Sequence, residues 1–237
     1  MRALAIAQLL AALMVAVPGC AARQRSIDFQ AIQPGPVSAD GLRRVEGREV
    51  SAAFVHPDAF FGAYDEIAVD PLRISHKPEA RPLDQASLER LQEIYADTLR
   101  EQLARSDAFR LVSEPGPRTL RVSGRIVNVD VRIPRSRSGE KRFVLDSGEM
   151  TLLLDVRDSQ TGRTLVRIAD RRRVRPSGLS STSNDHHSGY AGYEDTPVNV
   201  WGAVREIVDD WARIVRQGLD DLRTMAPVPI PDELGEG

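Results

Sequence analysis

The chain runs to 237 residues, 41% of them hydrophobic, which is enough for one ordinary domain with a packed core and excludes wholesale disorder. Lys and Arg number 32 against 34 Asp and Glu, a formal net charge of −2. Bulk charge this near to neutral argues against a dedicated nucleic-acid binder, although cations can still be gathered locally.

Met1-Arg2 is a short cationic start, followed by an apolar run from Ala3 to Val17 and then Pro18-Gly19-Cys20. Charge, apolar stretch and small residue in that order describe an export signal over residues 1–19, not a stable membrane span. Cys20 is the single cysteine, so no disulfide can form within the chain. Val17-Pro18-Gly19-Cys20 resembles the lipobox of bacterial lipoproteins, with an aliphatic residue at −3, glycine at −1 and the cysteine that receives the lipid. Pro18 departs from the small residue usual at −2. The resemblance implies a covalent lipid on Cys20, and Ala21 after it implies delivery to the periplasmic face of the outer membrane. An incidental thiol in an ordinary signal peptide is the alternative. No cofactor besides that lipid is expected.

Residues 20–63, which include AIQPGPVSADG, show little periodicity and are expected to form a flexible tether. Phe54, Phe60 and Phe61 leave open that part of it packs on the domain. The globular domain is expected over residues 64–223. Asp65 to Leu72 reads as a short strand closed by Pro71. Asp84 or Ser87 can cap a helix running to about Arg105, with Leu88, Leu91, Ile94, Tyr95, Leu99 and Leu103 on one side. Phe109 to Val112 is a second strand. Thr119 to Ile133 is a third, whose apolar positions change from even (Leu120, Val122, Ile126) to odd (Val127, Val129, Val131, Ile133). A one-residue shift of that kind predicts a β-bulge, and Gly124 sits beside it.

Glu149 to Val174 reads as two strands turned back at Asp158-Ser159-Gln160-Thr161-Gly162. Met150, Leu152, Leu154 and Val156 lie on one face, and Thr151, Asp155 and Arg157 are among the polar alternates. Val166 and Ile168 then point one way, Arg167 and Arg171 the other. Gly162 supplies the positive φ that the turn needs. After a Ser- and Gly-rich loop over 176–196, Thr196 and Pro197 open the last helix. Its stripe is Trp201, Val204, Ile207, Val208, Trp211, Ile214, Val215, Leu219 and Leu222. Residues 224–237 are acidic and proline-rich and are expected to be a disordered tail. The order β-α-β-β-β-β-α predicts an α+β two-layer sandwich. Its sheet is expected to be mostly antiparallel, of about five strands, with both helices on one face.

Tyr64-Asp65-Glu66-Ile67-Ala68-Val69, the Pro115-Gly116-Pro117-Arg118-Thr119-Leu120 turn, the Asp-Ser-Gln-Thr-Gly turn, Asp170-Arg171-Arg172 and Trp211-Ala212 together resemble a family of bacterial lipoproteins. That family is catalogued as domain of unknown function thirty-three thirteen, and the resemblance covers about residues 50–223. It has no assigned reaction, so it implies no catalytic residue. The element order is also similar to small envelope domains such as that of the curli-secretion lipoprotein, an analogy of fold alone.

Enzyme motifs are missing: there is no phosphate-binding glycine loop, H-E-x-x-H or G-x-S-x-G. Asp209-Asp210 and Asp220-Asp221 read as the solvated face of a helix. His186-His187, with Asp185, Tyr190, Tyr193 and Glu194, read as a surface loop more than a metal site, because adjacent histidines rarely aim at one ion. Charge placement is more informative. A meander places Arg132, Arg135, Arg137, Lys141 and Arg142 beside Arg171, Arg172, Arg173 and Arg175, making a local basic end. That end is expected either to dock on an anionic lipid, peptidoglycan or an acidic partner, or to be arginines solvating a strand end. The functional expectation is a non-enzymatic, lipid-anchored envelope adaptor or assembly factor with no nucleic-acid partner. A homo-oligomeric secretion component is the alternative, and an envelope-polymer hydrolase a weaker one.

Overall fold

A computed structural model describes residues 27–133, 143–144, 147–175, 193–194 and 197–224. In chain order the elements are β1 (Ile27–Ile32), β2 (Arg43–Gly47), β3 (Ala52–Val55), a 3-10 turn (Phe61–Ala63), β4 (Glu66–Val69), β5 (Arg73–His76) and α1 (Gln85–Leu103). There follow β6 (Arg110–Leu111), β7 (Thr119–Val131), β8 (Phe143–Val144), β9 (Gly148–Asp158), β10 (Thr164–Arg173), β11 (Tyr193–Glu194) and α2 (Pro197–Thr224). The α+β class and the two helices are as the sequence implies. The sheet is larger than expected and mixed. It has nine strands, ordered β1-β2-β3-β10-β9-β7-β4-β6, with β5 also paired to β7.

The first correction concerns residues 20–63. From Ile27 onward the segment expected as a tether builds three antiparallel strands of the sheet. Ile27, Phe29, Leu42, Val45, Ala53 and Val55 are all buried. Phe29 packs on α2 at Gly218. These strands are short and one-sided, and Pro34, Gly35 and Pro36 belong to the connection between β1 and β2. The second correction concerns strand direction. β4 runs parallel to both β6 and β7, and β5 runs parallel to β7. Parallel pairing needs a crossover, and α1 supplies the one between β4 and β6.

Both helices cover the sheet face that carries Leu120, Val122, Ile126, Met150, Leu152, Leu154 and Val156, all buried. Asp84 caps α1, its carboxylate accepting from Ser87 N at 2.9 Å. Within the expected α2 stripe Trp201 and Ile207 are only partly buried, and the remaining apolar positions are enclosed. Asp209 and Asp220 are more than a solvated face. Asp209 accepts from Gln102 at 2.8 Å and Asp220 from Ser106 and Arg216, so they pin α2 to the α1 region. The void among Tyr95, Leu152 and Trp211 is about 10 Å³, room for no more than a water, so the tryptophan stripe is core.

The phase change in β7 is present, but its seat is Asn128, at φ 54°, where the register to β9 shifts between Val127 and Asp130. Asparagine tolerates the left-handed region better than most residues. Gly124 plays a different part. A Cβ there would stand 2.1 Å from the Tyr95 hydroxyl, so its missing side chain makes room for that ring. Gly148, opposite the bulge, has φ +125°, and a Cβ on it would lie 1.7 Å from the Asp130 carbonyl oxygen.

Two outcomes follow from this packing. Gly148→Ala combines a forbidden φ with a backbone clash and is expected to cost on the order of 3 kcal/mol, or roughly 6–12 °C in Tm, read by thermal melting. A chain beginning at Tyr64 uncovers the β10 edge at Val166 and Ile168, and is expected to be insoluble or to melt without cooperativity. Soluble expression with a sharp melt would restore the tether.

Candidate docking surface

Residues directly opposite on paired strands share a face, so register alone lays out the side of the sheet away from the helices. One row across it reads Ser123, Asp155, Arg167, Phe54 and Arg44. The next reads Arg73, Arg125, Leu153, Ala169 and Ala52. Arg121 pairs with Arg157 on one side of these rows, and Val127, Thr151 and Arg171 follow on the other. The face is therefore dominated by arginine.

Asp155 is the hub of this face, its side chain 4% exposed. Its Oδ1 accepts from Arg167 Nε at 2.7 Å and its Oδ2 from Arg157 Nη2 at 2.8 Å, with Arg125 Nη2 at 4.0 Å. Arg167 also reaches Asp40 at 2.9 Å. Asp70 holds Arg121 at 2.6 Å and takes the Ser123 hydroxyl. Asp155, Asp40 and Asp70 stand against Arg121, Arg125, Arg157 and Arg167, and Arg44 and Arg73 lie in the same rows, so the surface is left positive. A buried charge in such a setting is tolerated only while its partners remain.

At the end of the sheet where β10 finishes, the expected basic cluster is divided. Arg171, Arg173 and Arg175 are exposed. Arg171 bonds Glu149 through Nε at 3.0 Å, and that hydrogen bond, helped by the charges of Arg171, Lys77 and Arg173, holds the Glu149 carboxyl below its ordinary range. Arg172 does not join them. It lies on the helix-covered side, with Nε on Asp170 at 2.6 Å and Nη2 on the Glu49 carbonyl at 2.8 Å, because alternation along β10 sends it opposite to its neighbours. Behind this end is an open groove of about 420 Å³ in which Arg48, Arg171 and Arg172 stand with Glu49, Asp170 and Asp210, so its charge is balanced. Arg135, Arg137, Lys141 and Arg142 lie outside the described residues, as do Cys20, His186 and His187. β8 and β11 pair antiparallel, with Val144 opposite Tyr193 and Phe143 opposite Glu194.

The opposite end of the sheet is closed by hydrogen bonds. Asp158 Oδ1 accepts from Gln160 N at 3.1 Å, Thr161 N at 2.6 Å and Thr161 Oγ1 at 2.7 Å, while Oδ2 accepts from the Tyr64 hydroxyl at 2.8 Å. Gly162 completes the turn at φ +70°. Ser159 Oγ donates to the Gly116 carbonyl at 2.5 Å, Gly116 N donates to Thr119 Oγ1 at 2.8 Å, and Thr119 Oγ1 donates to Glu66 at 2.7 Å. Arg118 grips Asp65 through Nε and Nη2 at 3.0 and 2.7 Å. Burial, and then the bond to Asp158, push the Tyr64 phenol up to about 12. Burial would raise the Asp158 carboxyl, but the bonds from Thr161, Tyr64 and Gln160 outweigh it and hold the group below its ordinary value.

The described histidines serve the backbone: His76 Nε2 accepts from Leu83 N at 3.0 Å, and His56 Nδ1 from Asp58 N at 3.3 Å. Among the described residues no group of His, Cys, Asp or Glu could hold a metal ion, and no helix is long and apolar enough to cross a membrane.

Fold and surface together define a two-layer α+β domain with one helix-covered face and one arginine-lined face. The chain belongs to the family described as Protein of unknown function (DUF3313), whose model matches residues 34–195. The match begins inside the segment expected as a tether, in keeping with β2 and β3 being part of the domain. No curated protein matches. Among solved structures the chain is similar to the PelC dodecamer from Paraburkholderia phytofirmans, at 12% identity over 65% of this chain and 89% of that one, with a TM-score of 0.33. It is similar also to a minor lipoprotein from Acinetobacter baumannii, at 12% identity over 68% and 93% of the two chains, with a TM-score of 0.26. Superpositions this loose say nothing of activity.

Asp158→Asn leaves the turn one acceptor short and is expected to cost about 1–2 kcal/mol. The sign with pH is fixed by the depressed carboxyl. Its stabilisation is complete above the unfolded value, near 3.9, and is lost as pH falls through the folded value. Denaturant titrations between pH 5 and pH 3 are therefore expected to show the Asn variant losing less stability than the parent chain.

Proposed function

We propose that the chain is a bacterial lipoprotein, anchored through acylated Cys20 to the periplasmic face of the outer membrane. In this reading it works there as a non-enzymatic adaptor or assembly factor. The observation that carries the reading is the run Val17-Pro18-Gly19-Cys20, which holds the chain's single cysteine and ends just before the first strand at Ile27. The exporting signal ahead of it and the lipid on it explain each other. Several acyl chains, at about 0.8 kcal/mol per buried CH₂, make such an anchor stable.

The adaptor part rests on how the polar side chains are used. The described histidines are committed to backbone amides, and the motif acids Asp65, Glu66, Asp158 and Asp170 to ion pairs or turns. What remains accessible is the arginine-rich side of the sheet, a surface for contact.

Expression of the full chain in a Gram-negative host fed an alkyne-bearing palmitate is expected to label it and place it in the outer-membrane fraction. Cys20→Ala is expected to abolish the label and release the protein from that fraction. Labelling that survives the substitution, or an intact mass without acyl groups, would overturn the anchor.

A further inference from the structure

The sheet has two ends, and register says which of them the anchor serves. Ile27 pairs with Gly47 at the end of β2, and Ala52 at the start of β3 pairs with Ala169 in the second half of β10. Gly148 at the start of β9 pairs with Val131 at the end of β7. The chain therefore enters β1 at the end that carries the last turns of β10 and β7, away from the Asp158–Gly162 hairpin. Arg171, Arg173 and Arg175 are at that end, with Arg132 and Lys77, all of them exposed. Glu149 stands among Arg171, Lys77 and Arg173, and Asp130 lies opposite it in register, so two carboxylates face these five cations.

We propose that this basic end lies against the anionic lipid headgroups of the membrane that holds the anchor, with the strands pointing away from the bilayer. The proposal rests on the acylation of Cys20, and the leash length turns that reading into an orientation. Only residues 21–26 separate Cys20 from Ile27. Fully extended, that connection spans at most roughly 25 Å. β9 alone, with 11 residues, spans roughly 36 Å. Laying the hairpin end on the bilayer would need a leash longer than the chain provides. Anionic headgroups attract a basic patch only within about a Debye length, on the order of 8 Å at physiological salt. The leash keeps the cations within reach of that range, whereas the hairpin end comes near the bilayer only if the strands lie flat along it.

Because the native cysteine is consumed by the lipid, a single introduced cysteine reports on one place. Ser75→Cys, two residues before Lys77, and Gln160→Cys, in the hairpin, are each labelled with a fluorophore in the full lipidated chain. Both are placed in nanodiscs carrying a headgroup quencher, after intact mass has verified the acyl groups. With phosphatidylglycerol present, the Ser75→Cys label is expected to be quenched several-fold more than the Gln160→Cys label. That difference is expected to shrink in phosphatidylcholine alone and at high salt. Equal quenching at the two positions, or a difference indifferent to lipid charge, would overturn the orientation while leaving the anchor intact.

A second arm removes the leash. The Cys20→Ser chain is expected to sediment with phosphatidylglycerol vesicles in low salt. Adding Arg173→Gln and Arg175→Gln is expected to weaken that binding on the order of tenfold or more. Absence of any preference for phosphatidylglycerol over phosphatidylcholine, or a preference for peptidoglycan sacculi over vesicles, would sink headgroup docking.

Discussion

The buried carboxylate of Asp170 is the constraint on which the rest of the architecture depends. It sits near the end of β10 with its side chain 5% exposed, and it accepts from Ser51 N at 3.0 Å, Ser51 Oγ at 2.8 Å, Trp211 Nε1 at 2.9 Å and Arg172 Nε at 2.6 Å. A charge taken out of water costs several kcal/mol unless such partners are all in place. The partners come from the turn between β2 and β3, from the strand itself and from α2. One side chain thus forces three distant stretches of sequence into register. This is why the N-terminal strands are part of the domain and cannot hang from it as a leader.

Two networks absorb most of the residues by which the chain resembles its family. Tyr64, Glu66, Gly116, Thr119 and Asp158 meet at the hairpin end, and Asp170, Arg172 and Trp211 meet near the other. In both, each polar group is occupied by a neighbour, and both lock turns or layers together. The motifs that identify the family are therefore the ones that fix its fold. A contact surface has to be sought among residues the motifs leave out, and the arginines at Arg125, Arg157 and Arg167 are of that kind. They gather round Asp155 only because β7, β9 and β10 lie side by side.

What can be read from the sequence follows the range of the interaction. The α2 stripe and the hairpin at Gly162 are local patterns, and both are present as expected. The phase change of β7 is visible in the sequence as a switch of parity, but its cause is not. Gly124 invites the bulge by its composition, whereas Asn128 takes the left-handed conformation and Gly124 gives way to Tyr95, a residue from another element. β1, β2 and β3 are hidden because each offers only one or two inward apolar residues among Pro, Gly and charge. Their burial is decided by the pairing of β3, on which β2 and then β1 are laid, with β10 more than a hundred residues later. Proximity in sequence groups Arg172 with Arg171 and Arg173, and strand alternation separates them. The face around Asp155 is already present as the polar alternates of the two hairpin strands. Only the register with β7 shows them to be one surface.

The short connection before Ile27 changes what an anchored domain of this kind can reach. With a long tether it could sample much of the space above a membrane, and its orientation would be immaterial. With residues 21–26 alone, the span of the leash and the length of β9 add to about 60 Å as the farthest point from an anchor at Cys20. The two ends of the sheet then have separate surroundings. In the proposed orientation the basic end meets the headgroups, and the hydrogen-bonded hairpin end is carried outward. In that orientation the arginine face runs between them, roughly along the normal to the bilayer. A partner that used this face would meet it edge-on to the membrane and within that span. Its affinity would gain from the restricted volume as much as from the charges themselves.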